Sequence, residues 1–98
     1  MKLLTKELIK KLPSLYATED DEDPVVRVKL FHPLSSYTVY LIEYNPKIKI
    51  GFGLTTGLEK ELGYFNLDEL ENINIMGFKM EVDLYFKETY LSNIINNL

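Results

Sequence analysis

Apolar positions along the 98-residue chain change period several times. In "VVRVKLFH" (25–32) Val26, Val28 and Leu30 alternate with Arg27 and Lys29, the period of two expected of a strand with one buried face. "YTVYLIEY" (37–44) carries apolar or aromatic groups on both faces, which suits a central or doubly covered strand. "IKIGFGLTT" (48–56) continues the extended pattern, weakened by Gly51 and Gly53. The cleanest alternation lies in "GFKMEVDLYFK" (77–87). There Phe78, Met80, Val82, Leu84 and Phe86 form a core face against Lys79, Glu81, Asp83, Tyr85 and Lys87. Pro- and Asn-containing turns, "HPLSS" and "NPK", separate the early strands.

Three other segments carry helical signals. Thr5 is placed to cap a short helix with Glu7 in its first turn and Lys10 and Lys11 at its end. Pro13 stops it. In "GLEKELGYF" Leu58, Leu62 and Phe65 have helical spacing, while Leu58, Lys60, Leu62 and Tyr64 alternate. Gly63 would cost a helix about 1 kcal/mol relative to alanine, so a strand is predicted over 60–65. Asn66 with Glu69 reads as a capping box opening a short helix whose Leu67, Leu70 and Ile73 face inward. Thr89 is placed to cap a last helix with the stripe Leu91, Ile94, Ile95 and Leu98, read as docking on its own sheet or serving a partner. Short turns between the first four strands require antiparallel neighbours. The expectation is one α+β domain over residues 1–98: a curved, mainly antiparallel five-stranded sheet with three short helices over its apolar face.

Composition narrows the function classes. Hydrophobic residues at 46% and charged residues at 27% describe a globule and not a disordered chain. Cysteine is absent, which removes disulfides, thiolate nucleophiles and Cys-rich zinc sites. "MKLLTKELIKK" has no apolar core of a secretory signal, and no stretch is apolar enough to span a bilayer. A cytoplasmic protein without membrane contact is expected. The net charge of −4 is concentrated in "TEDDED" (18–23), which disfavours nucleic-acid binding. That run reads as a solubilising loop, with mimicry of nucleic acid as the sharper alternative.

Three segments, "MKLLTKELIKKLPSLYATE", "GLEKELGYFNLDELE" and "DLYFK", resemble a bacterial domain family of unknown function common on plasmids, conjugative elements and phages. The resemblance covers nearly the whole chain, apart from a more charged "DDED" and a different tail after Lys87. It implies a mobile-element setting and no particular reaction, and it supplies no catalytic residues.

Candidate chemistry is sparse. His32, the one histidine, sits beside Pro33 near Ser35 and Ser36, and without an orienting carboxylate this reads as a turn histidine. A magnesium site needs only one or two carboxylates. Glu81 and Asp83 share a strand face and Glu43 joins them if its strand is adjacent, the basis of an alternative reading as a small metal-dependent nuclease. Lys79 and Lys87 on the same face support a charge-balanced surface instead. "GFGLTTG" lacks the Gly-Lys-Ser/Thr of a phosphate loop and reads as a bulge or a close backbone approach. Seven tyrosines and five phenylalanines are many for a small core. With Tyr37 inward beside Val39 and Leu41, Tyr40 and Tyr44 fall on the opposite face. Tyr64 and Phe65 project oppositely, and Tyr85 lies on a wet face. These five, Tyr40, Tyr44, Tyr64, Phe65 and Tyr85, are the candidate protein-binding residues. The leading expectation is a non-enzymatic module that binds an unidentified protein partner, without cofactor or metal and with its oligomeric state open. Weak nucleic-acid binding through Arg27, Lys29 and neighbouring tyrosines is a third reading.

Overall fold

The computed structural model describes residues 2–98. The elements run α1 (Lys6–Lys11), β1 (Val25–Val26), β2 (Val28–Phe31), β3 (Thr38–Asn45), β4 (Ile50–Thr56), β5 (Glu61–Asn66), α2 (Leu67–Glu71), β6 (Glu81–Val82), β7 (Thr89–Tyr90) and α3 (Leu91–Asn96). Five strands form one antiparallel sheet in the order β5-β4-β3-β2-β6, and β1 pairs separately with β7. This is the expected α+β architecture with three short helices. Residues 61–66 are strand, as the cost of Gly63 in a helix requires.

Both faces of the sheet are covered, where cover on one apolar face was predicted. Leu3, Leu4, α1 and α2 pack on Val28, Leu30, Val39, Leu41 and Met80 to make the first core. On the opposite face α3 and Phe86 pack on Val26, Tyr40, Ile42 and Leu54. The central strand β3 is therefore buried at all six interior positions, as its doubly apolar sequence demands. Leu91 and Ile94 dock α3 on its own sheet, while Ile95 and Leu98 remain exposed.

Two departures from strict alternation reassign side chains. The predicted strand 25–32 breaks at Arg27, whose N–H still reaches the Leu41 carbonyl at 3.0 Å. Val26 consequently faces the second core while Val28 and Leu30 face the first, instead of all three sharing one side. In β3 a bulge lies between Leu41 and Glu43, for Leu41 pairs with Gly53 and Glu43 with Phe52. One extra residue shifts the phase by one. Tyr44 joins Val39 and Leu41 in the first core, opposite to the expected side, and Ile42 and Glu43 both turn toward the second face. The glycines opposite explain themselves. A Cβ at Gly53 would collide with the Tyr40 carbonyl, and one at Gly51 would lie 2.9 Å from Leu41 Cδ1.

The region 77–87 is the largest correction. Only Glu81 and Val82 pair with β2. At Asp83 the chain turns, because its carboxylate accepts from Tyr85 N at 2.9 Å and its carbonyl accepts from Phe86 N at 3.3 Å. Met80 is buried, but Phe78 and Leu84 are exposed, so the regular pattern does not become a core face. The helix caps also differ in detail. Thr5 accepts from Leu8 N and Asn66 from Asp68 N as expected. The Glu69 half of the capping box is absent among the described bonds. Thr89 belongs to β7, and α3 takes its cap from elsewhere: Asp23 accepts from Ser92 N at 2.9 Å and from Ser92 Oγ at 2.6 Å, and the Pro24 carbonyl accepts from Leu91 N at 2.9 Å. Sixty-nine positions separate Asp23 from Ser92.

Candidate functional site

The bulge aims Glu43 under the segment that follows α1. Glu43 is 2% exposed, and its carboxylate accepts from Tyr16 N at 2.8 Å, from Thr18 N at 2.9 Å and from the Thr18 hydroxyl. Tyr16 adopts a left-handed backbone (φ 71°), costly for a residue with a Cβ, in the turn that brings both amides to one acceptor pair. With Asp23 holding α3 at its other end, residues 16–24 are fixed at two points across the second face of the sheet.

Between this segment and β5 the sheet is uncovered, leaving a groove of about 260 Å³. Phe52 pairs across the strands with Tyr64, and Leu54 with Leu62, so Phe52, Leu62 and Tyr64 line the groove from β4 and β5. Tyr16 faces them from the other wall. The rings form a short chain: Phe52 and Tyr64 lie 5.0 Å apart between centroids and Tyr64 and Tyr16 lie 6.1 Å apart, all tilted. Tyr64 is 56% exposed. Its phenol is held above its ordinary range by partial desolvation, then by Tyr16 and the carboxylates of Glu43 and Glu19. Glu19, Asp21 and Glu22 stand on the rim, and among the described ion pairs none involves them. Small-molecule sites typically enclose ~300–1,000 Å³. The groove falls below that range, at the scale of one side chain, with an aromatic lining and an uncompensated negative rim.

The sequence-predicted binding residues do not form one patch. Tyr64 lies in the groove. Tyr40 is buried beside Phe86 with Lys29 Nζ 5.8 Å from its ring centroid, and Tyr44 and Phe65 pack in or on the first core. Tyr85, 93% exposed, stands on the 83–86 turn. Nor do Glu43, Glu81 and Asp83 converge. Glu81 pairs with Phe31 and Phe31 with Thr38, which puts Glu81 two strands across and five residues along from Glu43, roughly 20 Å at ordinary sheet spacings. Asp83 faces Lys29 Nζ at 3.7 Å. No group of three or more His, Cys, Asp or Glu among the described residues is placed to hold a metal ion.

His32 is buried with both ring nitrogens engaged. Nε2 contacts the Phe78 carbonyl at 2.8 Å and Nδ1 accepts from Leu34 N at 3.1 Å, a pattern that assigns the proton to Nε2. Ser35 Oγ accepts from Tyr37 N at 3.2 Å, and among the described bonds none joins it to the His32 ring. Arg27 bonds Glu88 at 2.7 Å and Lys29 faces Asp83, which leaves both cations compensated. No helix among the described residues is long and apolar enough to cross a membrane.

Tyr16 and Phe52 were missed by sequence reasoning. The signal for Phe52 was present: a turn after Thr56 sets Phe52 opposite Tyr64 on one face. Tyr16 gave no comparable signal, because its position depends on the Glu43 carboxylate, brought over by the bulge.

Fold and groove together define a small α+β domain with a side-chain-sized aromatic recess. Residues 3–97 match the family described as protein of unknown function (DUF2958), and the chain belongs to that family. No curated protein and no solved structure matches it.

Proposed function

We propose that the protein is a non-enzymatic protein-binding module whose groove receives a lysine or arginine side chain of its partner. The observation that carries this reading is the Tyr16–Tyr64–Phe52 chain, its two tyrosines exposed, beneath the carboxylates of Glu19, Asp21 and Glu22, which no cation offsets among the described ion pairs. A cation over such rings gains about 0.5–2 kcal/mol, and more negative charge at the rim speeds encounter. The mobile-element setting that the family resemblance implies would make the partner a host defence or replication protein. The metal-dependent nuclease reading draws no support from the separated positions of Glu43, Glu81 and Asp83.

The test is affinity capture from a bacterial host lysate with the wild-type protein and with the Tyr64→Ala and Glu19→Gln/Glu22→Gln variants. A stoichiometric protein released by salt and lost from both variants is the expected outcome. Equal capture by all three, or no partner, refutes the reading. Magnesium-dependent DNA cleavage abolished in Glu81→Gln would install the nuclease in its place.

A further inference from the structure

The outer edge of β5 adds a second recognition element beside the groove. β5 is the terminal strand of the sheet, and among the described residues no element pairs with its free side. In an antiparallel edge strand alternate residues direct their N–H and C=O groups outward. Natural edges are usually blunted by charged side chains, proline or a bulge. Residues 62–66, "LGYFN", contain none of these and keep an unbroken register with β4.

Depressions flank this edge on both faces. Leu62 and Tyr64 border the aromatic groove, and on the opposite face Tyr37, Thr55, Gly63 and Phe65 border a recess of about 200 Å³. Gly63 leaves its surroundings open, with no atom within 4 Å of where a Cβ would lie. In an added strand successive side chains fall on opposite faces, so one set enters each depression.

Resting on the groove reading above, we propose that the partner docks as an extended strand on the free edge of β5, its inward-turned lysine or arginine entering the Tyr16–Tyr64 groove. A second copy of this chain is a poor occupant. Its β5 offers Leu62, Tyr64 and Asn66 on one face and Glu61, Gly63 and Phe65 on the other, with no cation for the groove, and it would bring two acidic rims together.

The test is titration of the isotope-labelled protein with an acetylated octapeptide alternating valine and lysine. The comparison probes are the same peptide N-methylated at alternate backbone nitrogens, and N-butylguanidinium. Binding by the parent peptide, weakened at least ten-fold by N-methylation, with hydrogen exchange slowed at the outward β5 amides, is the expected result. Equal binding of both peptides with both lost in Tyr64→Ala overturns the edge proposal and leaves the groove reading standing. Butylguanidinium shifting Tyr64 resonances while neither peptide binds does the same. Failure of all three probes overturns both. Concentration-dependent dimerisation that protects the same amides without peptide makes a second copy the occupant and overturns the proposal.

Discussion

Replacing Glu43 by glutamine isolates the latch that builds the groove wall. The carboxylate of the buried Glu43 accepts three hydrogen bonds from Tyr16 and Thr18. Glutamine keeps the shape but offers one acceptor oxygen. If its amide nitrogen faces Thr18, the hydroxyl can rotate to accept while the Thr18 N–H loses its partner. If it faces Tyr16, that N–H is orphaned. A buried unpaired N–H costs about 1–3 kcal/mol, and the surviving bonds lose the strengthening that a charged acceptor gives. The sum is about 2–4 kcal/mol, a large part of the ~5–15 kcal/mol available to a domain. Equilibrium urea unfolding should report that loss, with a midpoint of thermal unfolding lower by roughly 10–25 °C. Thr18→Val removes only the hydroxyl bond and should cost about 1 kcal/mol. Native-state hydrogen exchange should accelerate at Tyr16 and Thr18 before the sheet amides respond. A Glu43→Gln loss below about 0.5 kcal/mol, within the range of ordinary surface changes, or unchanged exchange at those two amides, would refute the reasoning.

Gly53→Ala should destabilise by more than about 3 kcal/mol, because the new methyl meets the Tyr40 backbone, whereas Gly63→Ala, with open space around it, should stay within about 0.5 kcal/mol; parallel urea titrations compare them. Asp23→Ala removes the remote cap of α3 and should cost about 1–2 kcal/mol, with faster exchange at Ser92 N–H as its signature. Alkaline pH should destabilise the fold. Burial raises the phenols of Tyr37 and Tyr44 above their ordinary value, with Glu69 and Glu61 adding for Tyr37, and Glu71 and Asp68 adding against the opposing Lys49 for Tyr44. The folded state therefore holds these protons more tightly. Their contribution is fully present below about pH 10 and is lost as pH rises through the folded values. Thermal melts across that window should show the decline, and Tyr44→Phe should flatten it.

Local chemistry made much of the fold legible. The cap at Thr5, the stop at Pro13, the doubly apolar β3 and the glycine penalty that made 61–66 a strand are all short-range statements about neighbouring residues. The bulge after Leu41 was not legible, because it depends on Gly53 of the facing strand giving way to the Tyr40 carbonyl, a relation between strands. The same shift moved Tyr44 to the other face and brought Glu43 under Tyr16. Residues 77–87 misled for the opposite reason. Their alternation was real, but Asp83, whose N–H makes the last bond to the Lys29 carbonyl, satisfies the Tyr85 amide with its own side chain and ends the strand. Of the groove, Tyr64 was foreseen. The acidic run was read as solvated, and Glu19, Asp21 and Glu22 are indeed exposed, but Asp23 in the same run is a structural cap.

The joining of residues 23–26 to residues 89–92 bears on biosynthesis. A chain emerging from the ribosome can assemble the first core once Met80 is out, yet its second layer waits for Leu91 and Ile94. Contacts that span most of the chain are closed late and raise the contact order, which slows folding relative to helical domains of similar length. During that interval Tyr40, Ile42 and Leu54 lie bare. Any truncation that removes the segment from Thr89 onward should yield a nascent protein that aggregates or engages chaperones, even though its five-stranded sheet can pair in full.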